Sequence, residues 1–466
     1  MMKISLRVLT VAALMAGFFN SISAQAADAA TDQLIKRGEY LAVAADCGAC
    51  HRAVKQGGAP YSGGYAIDSP MGRIISSNIT PSKQFGIGNY SERQFSDAVR
   101  KGVAADGKNL YPAMPYTAYH GLTDDDVHAL YTYFMQGVKP YDAAPAEQTQ
   151  LSFPFNIRQI MWGWNLLYRD DKPFARQDGA SEQLNRGKYL VDVLGHCSTC
   201  HTPRNMMMAE ESSQNLAGGP LGGWYAPNIT PDKSGIGDWS QADIVTYLKT
   251  GHLADKAQAA GPMGEAVEHS FRYLNDGDLN AIAMWIKQVP AIATPVAARE
   301  ATPAVATDIN QIIVGQGSQS SLAASKTTDG AELYNGACAS CHGIEGHGTK
   351  DNFYPSLTSN TAVSGPNAQN LVMTIANGIE RKGNDIDVAM PAFANQMNDA
   401  QIAAVSSYVR NQFADINQPV TGEQVKTWRQ GGEAPFVVRY VSYLMAAGVV
   451  VVLLIIFGLL RLRKKS

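Results

Sequence analysis

The pentad Cys197-Ser198-Thr199-Cys200-His201 is one of three of its kind, the others being Cys47-Gly48-Ala49-Cys50-His51 and Cys338-Ala339-Ser340-Cys341-His342. Thiols at i and i+3 with an imidazole at i+4 lie on one face of a helical turn. Each sulfur can add to a vinyl group of a porphyrin while the imidazole meets the iron, so the pattern reads as three covalent haem attachment sites. Zinc half-sites are the rival reading. A closed zinc site groups four ligands, however, and no cysteine remains outside the pentads to complete one. Using all six cysteines as thioethers also removes any inference about disulfides from their even number.

A haem iron with one protein ligand is open to oxygen or peroxide, whereas a methionine sulfur closes it and raises its potential. The candidates are Met114, in Tyr111-Pro112-Ala113-Met114-Pro115 after Cys47; Met263, in Gly261-Pro262-Met263-Gly264 after Cys197; and Met390, before Pro391 and after Cys338. A single Met is more often core filling than a ligand. Near-equal spacing from Cys47 to Met114 and from Cys197 to Met263, with Pro or Gly holding the loop, is the argument for ligation. Met390 follows Cys338 at a shorter interval. Met71 and Met206 to Met208 lie too soon after their pentads, and the triple Met reads as an exposed or packing turn. The expected axial pairs are thus His51 with Met114, His201 with Met263 and His342 with Met390. His120, His128, His196, His252, His269 and His347 share no position across the repeats and read as surface or structural residues.

The elements that must position these groups also repeat. The pentads start at Cys47, Cys197 and Cys338, and the text between them recurs. Arg37-Gly38-Glu39-Tyr40-Leu41 before the first answers Arg186-Gly187-Lys188-Tyr189-Leu190 before the second. Asn78-Ile79-Thr80-Pro81 answers Asn228-Ile229-Thr230-Pro231, and each is followed by Gly-Ile-Gly. This polar turn either binds haem propionates or is a loop built by Asn and Pro. Each unit closes with a helix: Val127, Leu130, Tyr131 and Phe134; Leu279, Ile282 and Ile286; Ile402, Val405 and Val409. Thr123 with Asp126, Asn275 with Asp278, and Asn398 with Gln401 mark their starts. Gly38, Gly187 and Gly330 face Tyr133, Trp285 and Tyr408 as expected helix-crossing points. A domain-sized period predicts a tandem array of independent cores.

The 466 residues allow about three domains. Only 17% are charged and the formal net charge is -3, so no nucleic-acid partner is expected. Met1 to Ala26 reads as a secretory leader, with Lys3 and Arg7, an apolar run and the small-residue site Ala24-Gln25-Ala26. Tyr440 to Leu460 carries no charge and makes about 31 Å of helix, enough to span a bilayer. Arg461, Arg463, Lys464 and Lys465 after it, against Arg439 before it, place the tail in the cytoplasm. The expected order is a leader at 1–26, haem domains at 27–145, 181–290 and 328–420, and an apolar aromatic-rich connection at 146–180. A flexible linker at 291–327, a juxtamembrane segment at 421–439, a transmembrane helix at 440–460 and a tail at 461–466 complete it. The connection, from Phe153 to Tyr168, is either packed between the first two domains or a docking surface for a partner or the membrane.

On the pentads, Tyr111 to Tyr116, His201-Thr202-Pro203-Arg204, the two Asn-Ile-Thr-Pro turns with their Gly-Ile-Gly, and Met390-Pro391, the chain resembles the three-haem cytochrome c subunits of membrane-bound, quinone-reducing dehydrogenases. The resemblance implies an all-α fold of three tandem class I cytochrome c domains plus the C-terminal helix. It implies three covalent haem c groups and no substrate chemistry in this subunit. Electrons would pass from a catalytic dehydrogenase, accompanied by a small subunit, to ubiquinone at the periplasmic face of the inner membrane. The hydrophobic C-terminal helix favours a flavin-type partner acting on gluconate or another sugar. A quinoprotein alcohol or molybdenum aldehyde dehydrogenase is the alternative partner. Tyr354-Pro355-Ser356-Leu357 is similar to the turn whose Pro carbonyl orients the proximal imidazole in small cytochromes c, here His342. Two other readings are a haem peroxidase or reductase with one open iron, and a free-standing membrane cytochrome.

Overall fold

The computed structural model describes residues 29–52, 59–299, 327–382 and 387–463. The expected leader, most of the linker and the end of the tail lie outside the described residues.

One helix crossing recurs three times. A helix over 29–44 crosses Asp124–Thr132, Glu182–Tyr189 crosses Asp276–Ile286, and Gly330–Ala337 crosses Asp399–Ala414. A Cβ on Gly38, Gly187 or Gly330 would fall on the carbonyl of Ala129, Ala281 or Ala404, beside the Cβ of Tyr133, Trp285 or Tyr408. Glycine is required there because the two backbones touch. The second helix of each pair begins at its expected cap: Thr123, Asn275 and Asn398 accept from the backbone N–H of Asp126, Asp278 and Gln401 at 3.2, 2.9 and 3.0 Å. Gln401 reaches back to the Asn398 N–H and closes the box. Asp126 and Asp278 instead turn away from their caps, to Arg37 at 2.7 Å and to Arg186 at 2.6 and 2.8 Å.

The first two units do not have independent cores. Leu41, Ala44, Leu130 and Phe134 of the first belong to the same buried cluster as Leu190, Val193, Leu279 and Ile282 of the second. Their seam is reciprocal: Tyr40 Oη donates to Asp278 at 2.7 Å, and Tyr189 Oη donates to Asp126 at 2.6 Å. The repeated Arg-Gly-x-Tyr motif thus ties each unit's crossing to the other unit's cap. The third unit keeps its own cluster, around Leu333, Tyr334, Val372, Ile402 and Val405.

The all-α expectation needs a small addition. The fold is mostly helical, with short antiparallel hairpins at Ala66–Ser69 with Gly72–Ile75, Gly219–Leu221 with Trp224–Ala226, His252–Leu253 with Ala257–Gln258, and Ile379–Arg381 with Val388–Met390. Gln150–Leu151, at the start of the expected connection, adds a third strand to the first hairpin. These strands are too short to show an alternating pattern in sequence. The beginning of the expected linker is also tied down, since Ile292 and Thr294 accept the side-chain amide of Asn228 at 2.8 and 3.2 Å. The C-terminal helix runs Phe436–Arg463, starting at Phe436 rather than at the expected Tyr440. Its Phe436–Phe457 stretch is long and apolar enough to cross a membrane, with none of it buried.

Candidate haem-binding sites

Each pentad forms a single helical turn, Cys47–Cys50, Cys197–His201 and Ala339–His342 with Cys338 as its cap. The turn is entered through a left-handed residue in the first two units, Asp46 (φ 53°) and His196 (φ 37°). Each imidazole is then fixed from behind. His51 Nδ1 meets the Ser77 carbonyl at 2.7 Å, His201 Nδ1 the Pro227 carbonyl at 2.7 Å, and His342 Nδ1 the Pro355 carbonyl at 3.0 Å. A proton held on Nδ1 leaves Nε2 as the lone pair an iron would take. The role expected for Pro355 is therefore seen in the geometry, and Ser77 and Pro227 supply the equivalent carbonyls in the other two units.

Those two carbonyls immediately precede Asn78 and Asn228, whose side chains are engaged within the protein. Asn78 accepts from the Thr80 N–H at 2.9 Å and donates to the Tyr141 and Ala143 carbonyls at 2.8 and 3.2 Å. Asn228 does the same with Thr230 at 2.8 Å and the Ile292 strap at 2.8 Å. Both amides are buried and engaged within the protein. The turn anchors the carbonyl that orients the histidine, and the propionate reading receives no support from it.

The three methionines also share a scaffold that their sequence context only half displays. In every unit a helix, Glu92–Lys101, Gln241–Thr250 or Gln369–Asn377, stops at a left-handed glycine: Gly102 (φ 63°), Gly251 (φ 70°) or Gly378 (φ 71°). Met114, Met263 and Met390 each follow that glycine at one and the same spacing. The glycine is the legible signal that the spacing from cysteine obscured in the third unit. Each Met is half-buried against the same apolar cluster as the first cysteine of its pentad. The pairing expected between His51, His201 and His342 and these residues is compatible with that placement. Met206 and Met207, by contrast, are exposed, and Met71 sits at a hairpin turn.

Burial alters the titratable groups of the pentads. Burial holds His51, His201 and His342 below the ordinary histidine value despite their carbonyl bonds, keeping the ring neutral as an iron ligand must be. Burial likewise pushes the Cys47, Cys50, Cys197 and Cys338 thiols up to about 12. None of the six cysteines is in a disulfide, and among the described residues no three His, Cys, Asp or Glu side chains gather as a metal site. Protonated thiols without clustered partners do not suit zinc, whereas paired thiols beside an oriented, neutral imidazole suit thioether-bound haem. His196 is half-buried: its ring lies edge-on to Tyr119, 5.5 Å between centroids, at the seam of the first two units.

The Phe153 to Tyr168 stretch is two-faced. Met161 and Trp164 are buried beside Tyr116, and Trp164 Nε1 donates to the Met207 carbonyl at 2.9 Å, so the segment is packed between the first two units. Trp162, Leu166 and Leu167 on its other side are exposed.

Comparison with known proteins agrees with this geometry. The family described as Cytochrome c matches residues 35–137 and 327–413. The chain is 47% identical to the fructose dehydrogenase cytochrome subunit of Gluconobacter japonicus, over 86% of this chain and 83% of that one. It is 36% identical to the gluconate 2-dehydrogenase cytochrome c subunit of Pantoea cypripedii, over 88% and 92%. With the cytochrome c subunit of the quinone alcohol dehydrogenase of Gluconobacter oxydans (strain 621H) it shares 37%, over 90% and 86%. The chain belongs to the dehydrogenase cytochrome c subunits. As a cytochrome c subunit it binds covalent haem c and transfers electrons; it is not the catalytic component of its complex. In such a subunit Cys47 with Cys50, Cys197 with Cys200, and Cys338 with Cys341 are consistent with thioether sites. The apolar C-terminal helix fits a membrane anchor.

Proposed function

We propose that this cytochrome c subunit is a three-haem electron relay, with His51–Met114, His201–Met263 and His342–Met390 as axial pairs. The observation that supports it best is the threefold recurrence of one set of parts: a pentad turn, a carbonyl behind its histidine, and a Met at constant spacing beyond a left-handed glycine. The family match covers the first and third units, and the second inherits the reading from its repeat with the first. Three class I cytochrome c domains at 27–145, 181–290 and 328–420 are the corresponding division. Haem supplies the one-electron chemistry, while the chain's own groups fix the imidazoles, place the sulfurs and exclude water from the irons. The Gly261–His269 helix bearing Met263 touches both the Cys47–Cys50 turn and the Ile379–Arg381 strand, which supports the second unit as the middle carrier.

The donor in this reading is a flavin-type sugar or sugar-acid dehydrogenase with a small subunit, in keeping with the relatives named for fructose and gluconate. The acceptor is ubiquinone. The leader at 1–26 and the basic residues after Phe457 support a body on the periplasmic face with a cytoplasmic tail. Purification in mild detergent should yield a complex that contains three covalent haems per chain, a flavin subunit and sugar-dependent ubiquinone reduction. Fewer than three haems per chain after acid–solvent extraction overturns the relay, and a quinoprotein or molybdenum partner overturns the choice of donor.

A further inference from the structure

Arg381 is 2% exposed, yet it makes no ion pair among the described residues. It projects from the hairpin that ends at Met390 into the second unit, where Nη1 donates to the Ala259 carbonyl at 2.6 Å and Nη2 to Gln258 Oε1 at 3.3 Å. Its Nε is buried and has no hydrogen-bond partner among the described residues. The Gly251 backbone closes over the guanidinium so tightly that a Cβ there would strike it, and Tyr247, Glu268 and Arg272 lie within electrostatic reach. Buried arginines are ordinarily neutralised by a carboxylate. Here the acceptors are neutral, and they belong to the segment leading into the Met263 helix. The buried Arg381 guanidinium therefore sits between the strands and loops that present the proposed sulfur ligands of the second and third irons.

We propose that Arg381 is a positioning residue for electron transfer between the second and third units, locking the Met390 hairpin to the Met263 loop and raising the potentials of the haems on either side. Reduction lowers the charge at an iron by one unit, and a fixed cation in a medium of low dielectric favours the less positive state. Arg381 thereby makes both sites better acceptors than their ligands alone would. This inference rests on the three-haem reading.

The experiment is a spectroelectrochemical titration of the full-length, detergent-solubilised complex carrying Arg381→Met, Arg381→Lys or Gln258→Glu. Arg381→Met removes the charge. Gln258→Glu leaves the arginine in place and sets a carboxylate against it. Both should lower the midpoint potential of the second or third haem and leave the first unmoved, with Arg381→Lys close to the unmodified protein. If Arg381→Met does not assemble, Gln258→Glu alone decides. Three haems per chain with unmoved potentials in Gln258→Glu overturn the inference and spare the relay, whereas fewer than three haems in the unmodified protein overturn the relay itself.

Discussion

Methionine is the residue type on which the electron-transfer reading turns, because an imidazole and two thiols would equally serve an open, reactive iron. Met114→Leu, Met263→Leu and Met390→Leu are each expected to leave three covalent haems in place and to lower the potential of one haem only. Carbon monoxide difference spectra should then show one newly accessible iron per substitution. Closer to the protein's own stability, Asp278 is the most instructive carboxylate. Burial would raise its pKa, but the bonds from Arg186 and Tyr40 outweigh burial and hold it below the ordinary value. Its stabilising contribution is therefore present above pH about 4 and is lost as the pH falls through the lowered value. Acid unfolding followed by circular dichroism should show a shallower pH dependence below pH about 4 in Asp278→Asn than in the unmodified protein.

At the scale of elements, the helix crossings and the seam between the first two units carry separate predictions. Gly187→Ala places a methyl on the Ala281 carbonyl, which is backbone and cannot swing aside. The expected destabilisation is ~3 kcal/mol or more, the upper end for overpacking, read as a fall in midpoint in denaturant. Tyr40→Phe and Tyr189→Phe each remove one hydroxyl bonded to a carboxylate. Each should cost about 1.5–3 kcal/mol, the range for hydrogen bonds to charged groups. Thermal unfolding should place both losses in the transition shared by the first two units, with the third unit's unaffected. A single unchanged transition in both variants would mean that the reciprocal bonds contribute nothing to the seam.

At the scale of the molecule, the proposed relay is helped by units held close to one another. The first two are fused through one core, and the second and third meet through side chain–backbone and backbone–backbone hydrogen bonds. Asn370 donates to the Tyr225 carbonyl at 2.8 Å and accepts its N–H at 2.9 Å, and Thr361 N–H bonds the Lys256 carbonyl at 2.8 Å. The C-terminal helix follows directly on the helix Gly422–Arg429, which packs against the third unit. Ending the chain after Glu433 should release the cytochrome from membranes into buffer, with its haem content and potentials retained. Retention of the truncated protein on salt-washed membranes would show that another part of the assembly holds it there.

The sequence by itself determined the crossing glycines and their aromatic partners, the helix caps and the apolar C-terminal span, and it marked the three pentads and three methionines on which the proposed haem sites rest. Each of these is a local matter, set by residue type at short spacing or by direct repetition. What only the tertiary structure decided involves partners far apart in the chain. The carbonyls of Ser77 and Pro227 orient histidines 26 residues earlier, and any residue type supplies a carbonyl, so no composition could mark them. Asp126 and Asp278 look like capping residues in the sequence, yet their carboxylates join two units because Tyr189 and Tyr40 arrive from the other repeat. The fused core of the first two units and the cation buried between the second and third exist only once the repeats have docked. Burial and pairing are properties of that docking and not of the segments that meet in it.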